Sequence, residues 1–399
     1  GAAFETTTGS INTAIGYYSL YANTVGQYNT GLGAESLRTN TTGNHNVAVG
    51  YYALYANTTG AANTAVGNNA LDANTTADGN TAVGNNALGA NTTGNNNTAV
   101  GRSALDANVT NVSNCAFGNS ALTNSTSDYN NAFGDGALST LSTGNKNCAF
   151  GYQSLDHVTT GNNNSAFGHQ TGTAITTGGH NTALGDRALY SQTTESYNTA
   201  IGYAAAYTNT TGNYLVAIGS GAMFSNTTGS YNTAIGRDCL TNNTTGGNNT
   251  AVGKSALQSN TGGDDNVAIG VGALDAQTTA NYNTAMGKDA GGKITTGIQN
   301  VFIGRSANKE GTTCNDCVMV GDRAGDGNTG NQNTFVGGRA GSSGGNGGGD
   351  MNVGIGFWAL YGTGTSTANY NVAIGVYAME NNTSGHSNNA MGYEALEEN

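Results

Sequence analysis

The residues best suited to chemistry are few, and their spacing decides what they can do. Cys314-Asn315-Asp316-Cys317 sets two thiols three residues apart, the spacing of half a zinc site or of a local disulfide. Zinc would need two further ligands and the adjoining repeats offer none, so free thiols are expected. Cys115, Cys148 and Cys239 are read as small buried residues, and five cysteines do not make a disulfide framework. Asp72, Asp106, Asp156, Asp275, Glu380 and Glu397 recur at one place in the repeat described below, but not in successive repeats. Paired carboxylates for glycoside cleavage would have to stand about 5 to 10 Å apart in a groove. Asp264-Asp265 reads as a solvated turn, and His45, His157, His169, His180 and His386 have no metal-ligand spacing. No catalytic, cofactor-binding or metal-binding residue is assigned, and an enzyme is not expected.

Tyrosine stands out. Tyr197, Tyr214 and Tyr231 hold one place in three consecutive repeats, and Tyr17, Tyr18, Tyr21, Tyr51, Tyr52 and Tyr55 crowd the first and third. Exposed flat rings stack on sugar faces, which makes these nine residues the candidate glycan-contact surface. The competing reading is that they cover apolar edges or line an interface between chains.

The elements that must position these side chains are set by a period. Twenty-three glycines, from Gly16 to Gly392, each follow an apolar residue, and all but four of the steps between them are 17 residues. The exceptions are 16 residues before Gly134 and Gly337, and 19 before Gly356 and Gly375. Such regularity marks a solenoid. With the glycine as position 1, the unit reads G-x-x-A-L-x-x-N-T-T-G-x-x-N-T-A-V, as from Gly84 to Val100. Seventeen residues with two turn signals leave no room for a ten-residue helix, so the unit is predicted as strand, turn, strand, turn. Positions 5 and 17, apolar almost throughout, are the expected core. Position 4, always small, is the expected face of close approach, either within a flat coil or against another chain. Asn at position 14 is expected to form a corner ladder, and position 8, which is Asn or aliphatic, to be half-buried. Ile175 and Ile294 would compensate for Leu lost to Gly172 and Gly291, and Phe117, Phe133, Phe150 and Phe167 would stack. Corner asparagines such as Asn57 and Asn91 are read as open to glycosylation. The absence of proline suits a continuous ladder.

The expectation is therefore an all-β parallel solenoid, one array over residues 1–399, of about 23 coils and roughly 110 Å at the usual strand spacing. Residues 337–375 should be irregular, with small loop insertions. Two large apolar side chains per coil give on the order of 3 to 6 kcal/mol, against on the order of 17 kcal/mol for ordering 17 backbones. So thin a core favours sharing between chains, as a homotrimer. Both ends are in register with the repeat, which suggests a piece of a longer fibre or a head-to-tail polymer. A net charge of −12, a pI near 4.6 and no basic patch argue against nucleic acid. No apolar run approaches 18 residues, so membrane insertion is not expected.

Asn46-Val47-Ala48-Val49-Gly50, Asn266-Val267-Ala268-Ile269-Gly270 and Asn371-Val372-Ala373-Ile374-Gly375 resemble the head repeats of YadA-like trimeric autotransporter adhesins. The chain also resembles the Asn-Thr-Ala-Val-Gly arrays of phage tail fibres and bacterial surface proteins. The resemblance spans essentially all of the chain and implies a left-handed parallel β-roll assembled as a trimer. The 17-residue unit is longer than the usual adhesin head repeat, and heptad stalk, membrane-anchor barrel and chaperone domain are absent from this sequence. It implies a structural fibre or adhesin for attachment to a cell surface, located outside the cell, on its surface or on a virion. Five cysteines tilt the choice towards a phage fibre assembled in reducing cytoplasm. A self-assembling extracellular filament is the alternative. Ice binding through the Thr pairs at positions 9 and 10 is a more distant one.

Overall fold

The structure, a computed structural model, describes residues 7–343, 347–362, 367–382 and 384–397. Two compact units divide the chain, residues 1–197 and 198–399, and both are built from the same coil. Each is an all-β parallel solenoid. The first carries eleven three-residue strands, Thr13–Ile15 through Thr182–Leu184, and the second twelve, Thr199–Ile201 through Asn389–Met391. Within a unit each strand pairs in parallel with the next, one repeat on, as Thr64↔Thr81, Ala65↔Ala82 and Val66↔Val83.

Each coil has one strand rather than the expected two. Positions 15 to 17 are extended, and the anchor glycine then breaks the strand: Gly84 has φ 138°, and a Cβ there would collide with the carbonyl of Gly101. The second apolar segment is a series of turns. Asn86 and Leu88, at positions 3 and 5, have φ 56° and 52°. The left-handed region costs a bulky residue roughly 1–2 kcal/mol, yet the same leucine is wholly buried and its N–H donates to Ala104 O one coil on, at 3.0 Å. Packing and the coil-to-coil bond hold it there.

Single-residue alternation along the strand gives the second correction. Position 16 faces inward and positions 15 and 17 face out, because successive side chains take opposite faces. Ala65, Ala82 and Ala99 are fully buried, whereas Val66, Val83 and Val100 on their outer neighbours are only half-buried. The core is therefore position 5 Leu packed with position 4 and 16 Ala, and position 17 is not part of it. Position 4, expected as a possible chain contact, is interior: Ala70, Ala87 and Ala104 are fully buried.

Size is exchanged across this core. Where position 5 is Gly291, the facing position 16 is the fully buried Phe302, whose ring would lie 2.8 Å from a Cβ on that glycine. Met319 faces Gly325 and Phe335 faces Gly341 in the same way. Ile175 and Ile294 are fully buried, as their compensating role requires.

Asparagine fills the rest of the interior. At position 14, Asn63 donates from Nδ2 to Ala77 O (2.7 Å) while its Oδ1 accepts from Asn80 N (2.9 Å), so each residue ties its own coil to the next. At position 8, Asn57 donates from Nδ2 to Asn40 Oδ1 (2.7 Å) and to Gly60 O (3.0 Å). That position is fully buried rather than half-buried, which also removes Asn57 and Asn91 as glycosylation sites.

The four irregular steps leave strand register intact. In both 16-residue coils the missing residue is position 10, between Thr126 and Ser127 and between Thr329 and Gly330. In a regular coil the amides of Thr58, Thr59 and Gly60 all converge on Thr75 O, so omitting the middle one removes one of three donors to a shared acceptor. The 19-residue steps keep Thr334↔Val353 and Val353↔Val372 paired. The expected insertions between 337 and 375 fall partly at residues 344–346 and 363–366, outside the described residues.

Candidate functional site

The outward sheet face is the most extensive distinctive surface of each unit. In the first, position 17 presents Ile15, Leu32, Val49, Val66, Val83, Val100, then four phenylalanines and Leu184, and position 15 runs beside it with Thr, Val, Cys, Ser and Asn. No strand of either unit carries a charged residue at these positions. Exposure reaches 44% at Leu32 and 45% at Met286, high for apolar side chains flanked by strands. The rings of Phe117, Phe133, Phe150 and Phe167 stack at centroid distances of 4.8, 4.3 and 4.9 Å within 10° of parallel, forming the expected ladder on the outer face. Cys115 and Cys148 lie at position 15 on this face, half-buried rather than interior, and burial raises both thiols above their usual range.

The tyrosines divide into two arrangements. Tyr214 and Tyr231 stack at 5.0 Å and 7°, and Tyr197 stacks on His180 at 5.0 Å and 7°. These three rings remain 52%, 47% and 60% exposed at Tyr197, Tyr214 and Tyr231. At the chain's start, Tyr18 and Tyr55 flank Arg38, whose guanidinium lies 5.1 and 5.8 Å from their centroids and bonds Glu35 at 2.8 Å. Tyr17, Tyr21, Tyr51 and Tyr52 complete the cluster, with Tyr17 against Tyr18 at 4.1 Å, Tyr18 against Tyr21 at 4.7 Å and Tyr51 against Tyr52 at 4.2 Å. Tyr17 and Tyr51 are 62% and 53% exposed and stand on either side of the small Ala34 at position 2. Six of the nine predicted residues are thus brought together around an ion pair.

Two carboxylates that sequence spacing kept apart do approach. Asp72 and Asp106 lean from either side over Gly89, where a Cβ would lie 3.6 Å and 2.8 Å from their respective Oδ1 atoms. Burial raises both above the usual carboxylate range, and Asp106 raises Asp72 further. The signal was the glycine at the intervening position 6. His45 stacks on Tyr28, and His169 on Tyr152 beside Asp186 at 3.0 Å. Among the described residues no three of His, Cys, Asp and Glu are grouped so as to hold a metal ion.

Cys314 and Cys317 are interior, with Cys314 Sγ donating to Asn300 Oδ1 at 3.7 Å and Cys317 Sγ to Gly330 O at 3.3 Å. Their interaction with each other pushes Cys314 well above the usual thiol range and holds Cys317 below it. Cys239, packed at position 4, is pushed up by burial to about 12.

Compared with known proteins, the chain matches no protein-family model and no curated relative. No helix among the described residues is long and apolar enough to cross a membrane.

Proposed function

We propose that this chain is a structural fibre element for attachment to a cell surface, a tail-fibre or surface-adhesin segment that associates with copies of itself as a homotrimer. The outward sheet face carries this reading: an apolar position 17 column runs beside a position 15 column largely of Thr and Val, without charge and in register strand after strand within each unit. Contiguous exposed apolar surface on a folded chain marks an interaction site, and a regular parallel sheet suits an identical partner. The nine tyrosines then remain for contact with a cell-surface glycan, six of them gathered in the one cluster around Arg38. This reading involves no catalytic step, and places the protein outside the cell or on a virion.

The filament alternative needs the ends of the solenoid rather than its sheet face. Ice binding is disfavoured because the position 9 hydroxyls are engaged, as Thr58 Oγ1 donates to Thr75 O at 3.0 Å. Light scattering on the purified protein should give three chains per particle. Phe133→Asp with Val83→Lys should yield folded monomers, in which the Cys115 and Cys148 thiols react with a maleimide at least about tenfold faster, as loss of a shielding interface requires. A monomeric wild-type protein overturns the proposal, and open-ended polymers in the variant would favour the filament.

A further inference from the structure

A second aromatic cluster lies in the second unit, on residues that the tyrosine pattern did not single out. Position 3 places Arg323, Arg339, Trp358 and Tyr377 in four successive coils, with Phe357 and Tyr393 beside them at position 2. Backbone bonds keep these coils in step, as Arg339 N donates to Asp322 O at 2.8 Å, Trp358 N to Gly338 O at 3.1 Å and Tyr377 N to Phe357 O at 3.0 Å. Trp358 stacks on Tyr361 with ring centroids 4.2 Å apart, and the Arg339 guanidinium lies 5.5 Å from the Trp358 centroid. Phe357 leans over Gly338, where a Cβ would lie 3.1 Å from its ring, so aromatic surface reaches the coil of Arg339. Phe357 and Tyr393 remain 47% and 69% exposed.

The charge beside these rings departs from the rest of the chain. Six of the twelve Lys and Arg residues fall between Lys288 and Arg339. Four of them are answered by carboxylates: Lys288 and Lys309 by Asp289, Lys293 by Glu310 and Arg305 by Asp322. Arg323 and Arg339 make no ion pair among the described residues. Both act on Asp322 through space, and Arg323 on Asp326, but Asp322 is held by Arg305 at 2.7 Å and Asp326 accepts from Glu310 N at 3.0 Å. Two guanidiniums one coil apart therefore stand without a counter-charge of their own next to exposed rings, in a chain of net charge −12.

We propose that Arg323 and Arg339, with Phe357, Trp358 and Tyr393, form a binding site for an acidic glycan, one that carries a carboxylate or sulfate on a sugar ring. The site rests on the proposed attachment to glycans and supplies a ligand class for it. A guanidinium meets a planar carboxylate or a sulfate with parallel N–H donors. Trp358 contacts Arg339 through its ring, which leaves those donors to the anion. Neighbouring sugars then stack on the exposed rings. The Arg38 cluster lacks this preference, because Glu35 already answers its arginine at 2.8 Å. A nucleic-acid strand suits the site less, since its phosphates recur at every nucleotide and would meet the mutually repelling Glu380, Glu394 and Glu397 in the coils beyond.

The test applies the full chain to an array of uronic-acid, sialylated, sulfated and neutral glycans, then titrates the best acidic glycan, and an oligothymidylate, by calorimetry. Acidic glycans should be retained in preference to neutral ones. Arg323→Gln with Arg339→Gln should weaken binding about tenfold or more, as loss of charge-assisted hydrogen bonds requires. Arg323→Gln alone disturbs no ring contact and should also weaken it, Phe357→Ala should weaken it without altering the preference for acid, and the exposed Arg102→Gln should leave it unchanged. An unchanged circular dichroism spectrum checks each fold. Binding that ignores both arginines, or tighter binding of oligothymidylate, overturns the proposal. Retention of neutral glycans alone, lost in Tyr17→Ala with Tyr51→Ala, overturns this site while keeping attachment to glycans; retention of no glycan overturns both.

Discussion

At the scale of single residues, position 8 follows a rule that no one repeat reveals. Asn23, Asn40, Asn57, Asn74, Asn91 and Asn108 form an amide run, and Leu141, Val158 and Ile175 an aliphatic run in the same unit. The two runs never abut. Ser125 separates them, its hydroxyl bonded to Ser127 at 3.2 Å, and Gln192 closes the aliphatic run by donating to Glu195 O at 2.8 Å. The amide run ends with a cost still visible, the unpartnered Oδ1 of Asn108. Leu141→Asn and Asn74→Leu should therefore each destabilise by about 2 kcal/mol or more, since each leaves buried amide groups unpaired. Both residues are native at that position elsewhere. Denaturant unfolding checks this, and two neutral substitutions would show the runs to be independent of their neighbours.

At the scale of the coil, the hydrogen bonds that matter run from one repeat to the next with the same donors and acceptors each time. Removing one whole regular coil, residues 237–253, joins Gly236 to Lys254 in register and leaves Asn226 facing Asn260 in an unbroken amide run. The shortened protein should keep its circular dichroism spectrum and melt within about 5 °C of the parent, as nearest-neighbour stability in repeat proteins predicts. Removing eight residues instead should abolish cooperative melting, because the Asn seams then meet the wrong partners. The coil also shows what the sequence could and could not tell. Period, strand position and the position 14 ladder were legible because each rests on a residue type with few alternatives. The orientation of the strand was not, because apolar character does not mean inwardness in a coil too narrow for two large side chains. The corrective signal lay within the chain: Phe302, Met319 and Phe335 appear at position 16 beside Gly291, Gly325 and Gly341, an exchange possible only if positions 16 and 5 face each other. The Asp72–Asp106 approach and the Arg38 ion pair depend on side chains reaching across coils, and only the coordinates show that.

At the scale of the whole molecule, a charge of −12 is carried with few compensating cations, and stability should respond to pH against the usual trend. Burial raises the carboxyls of Asp72, Asp106, Asp275 and Asp326, so the folded chain binds protons more readily than the unfolded one. A raised native value contributes stability that is present below the unfolded carboxylate range and is lost as pH rises through the native value. Asp322 works the other way, because the hydrogen bond from Arg305 lowers it. Glu380 is raised by burial as well, and the five raised groups outnumber Asp322, so the unfolding midpoint should climb as pH falls from 7 towards 4.5. The double variant Asp72→Asn, Asp106→Asn should flatten that slope. A midpoint that falls steadily over this range, with the same slope in the variant, contradicts the assignment.

The segregation of amide and aliphatic runs bears on how such a chain can change over generations. Unequal exchange between similar repeats adds or removes coils, and within an amide run any product still presents matching donors and acceptors. An exchange that splices an amide coil directly to an aliphatic one strands polar groups in the interior. Length is therefore a freely heritable trait inside a run and a guarded one at its borders, so Ser125 and Gln192 mark where lineages of this protein should differ least in repeat order.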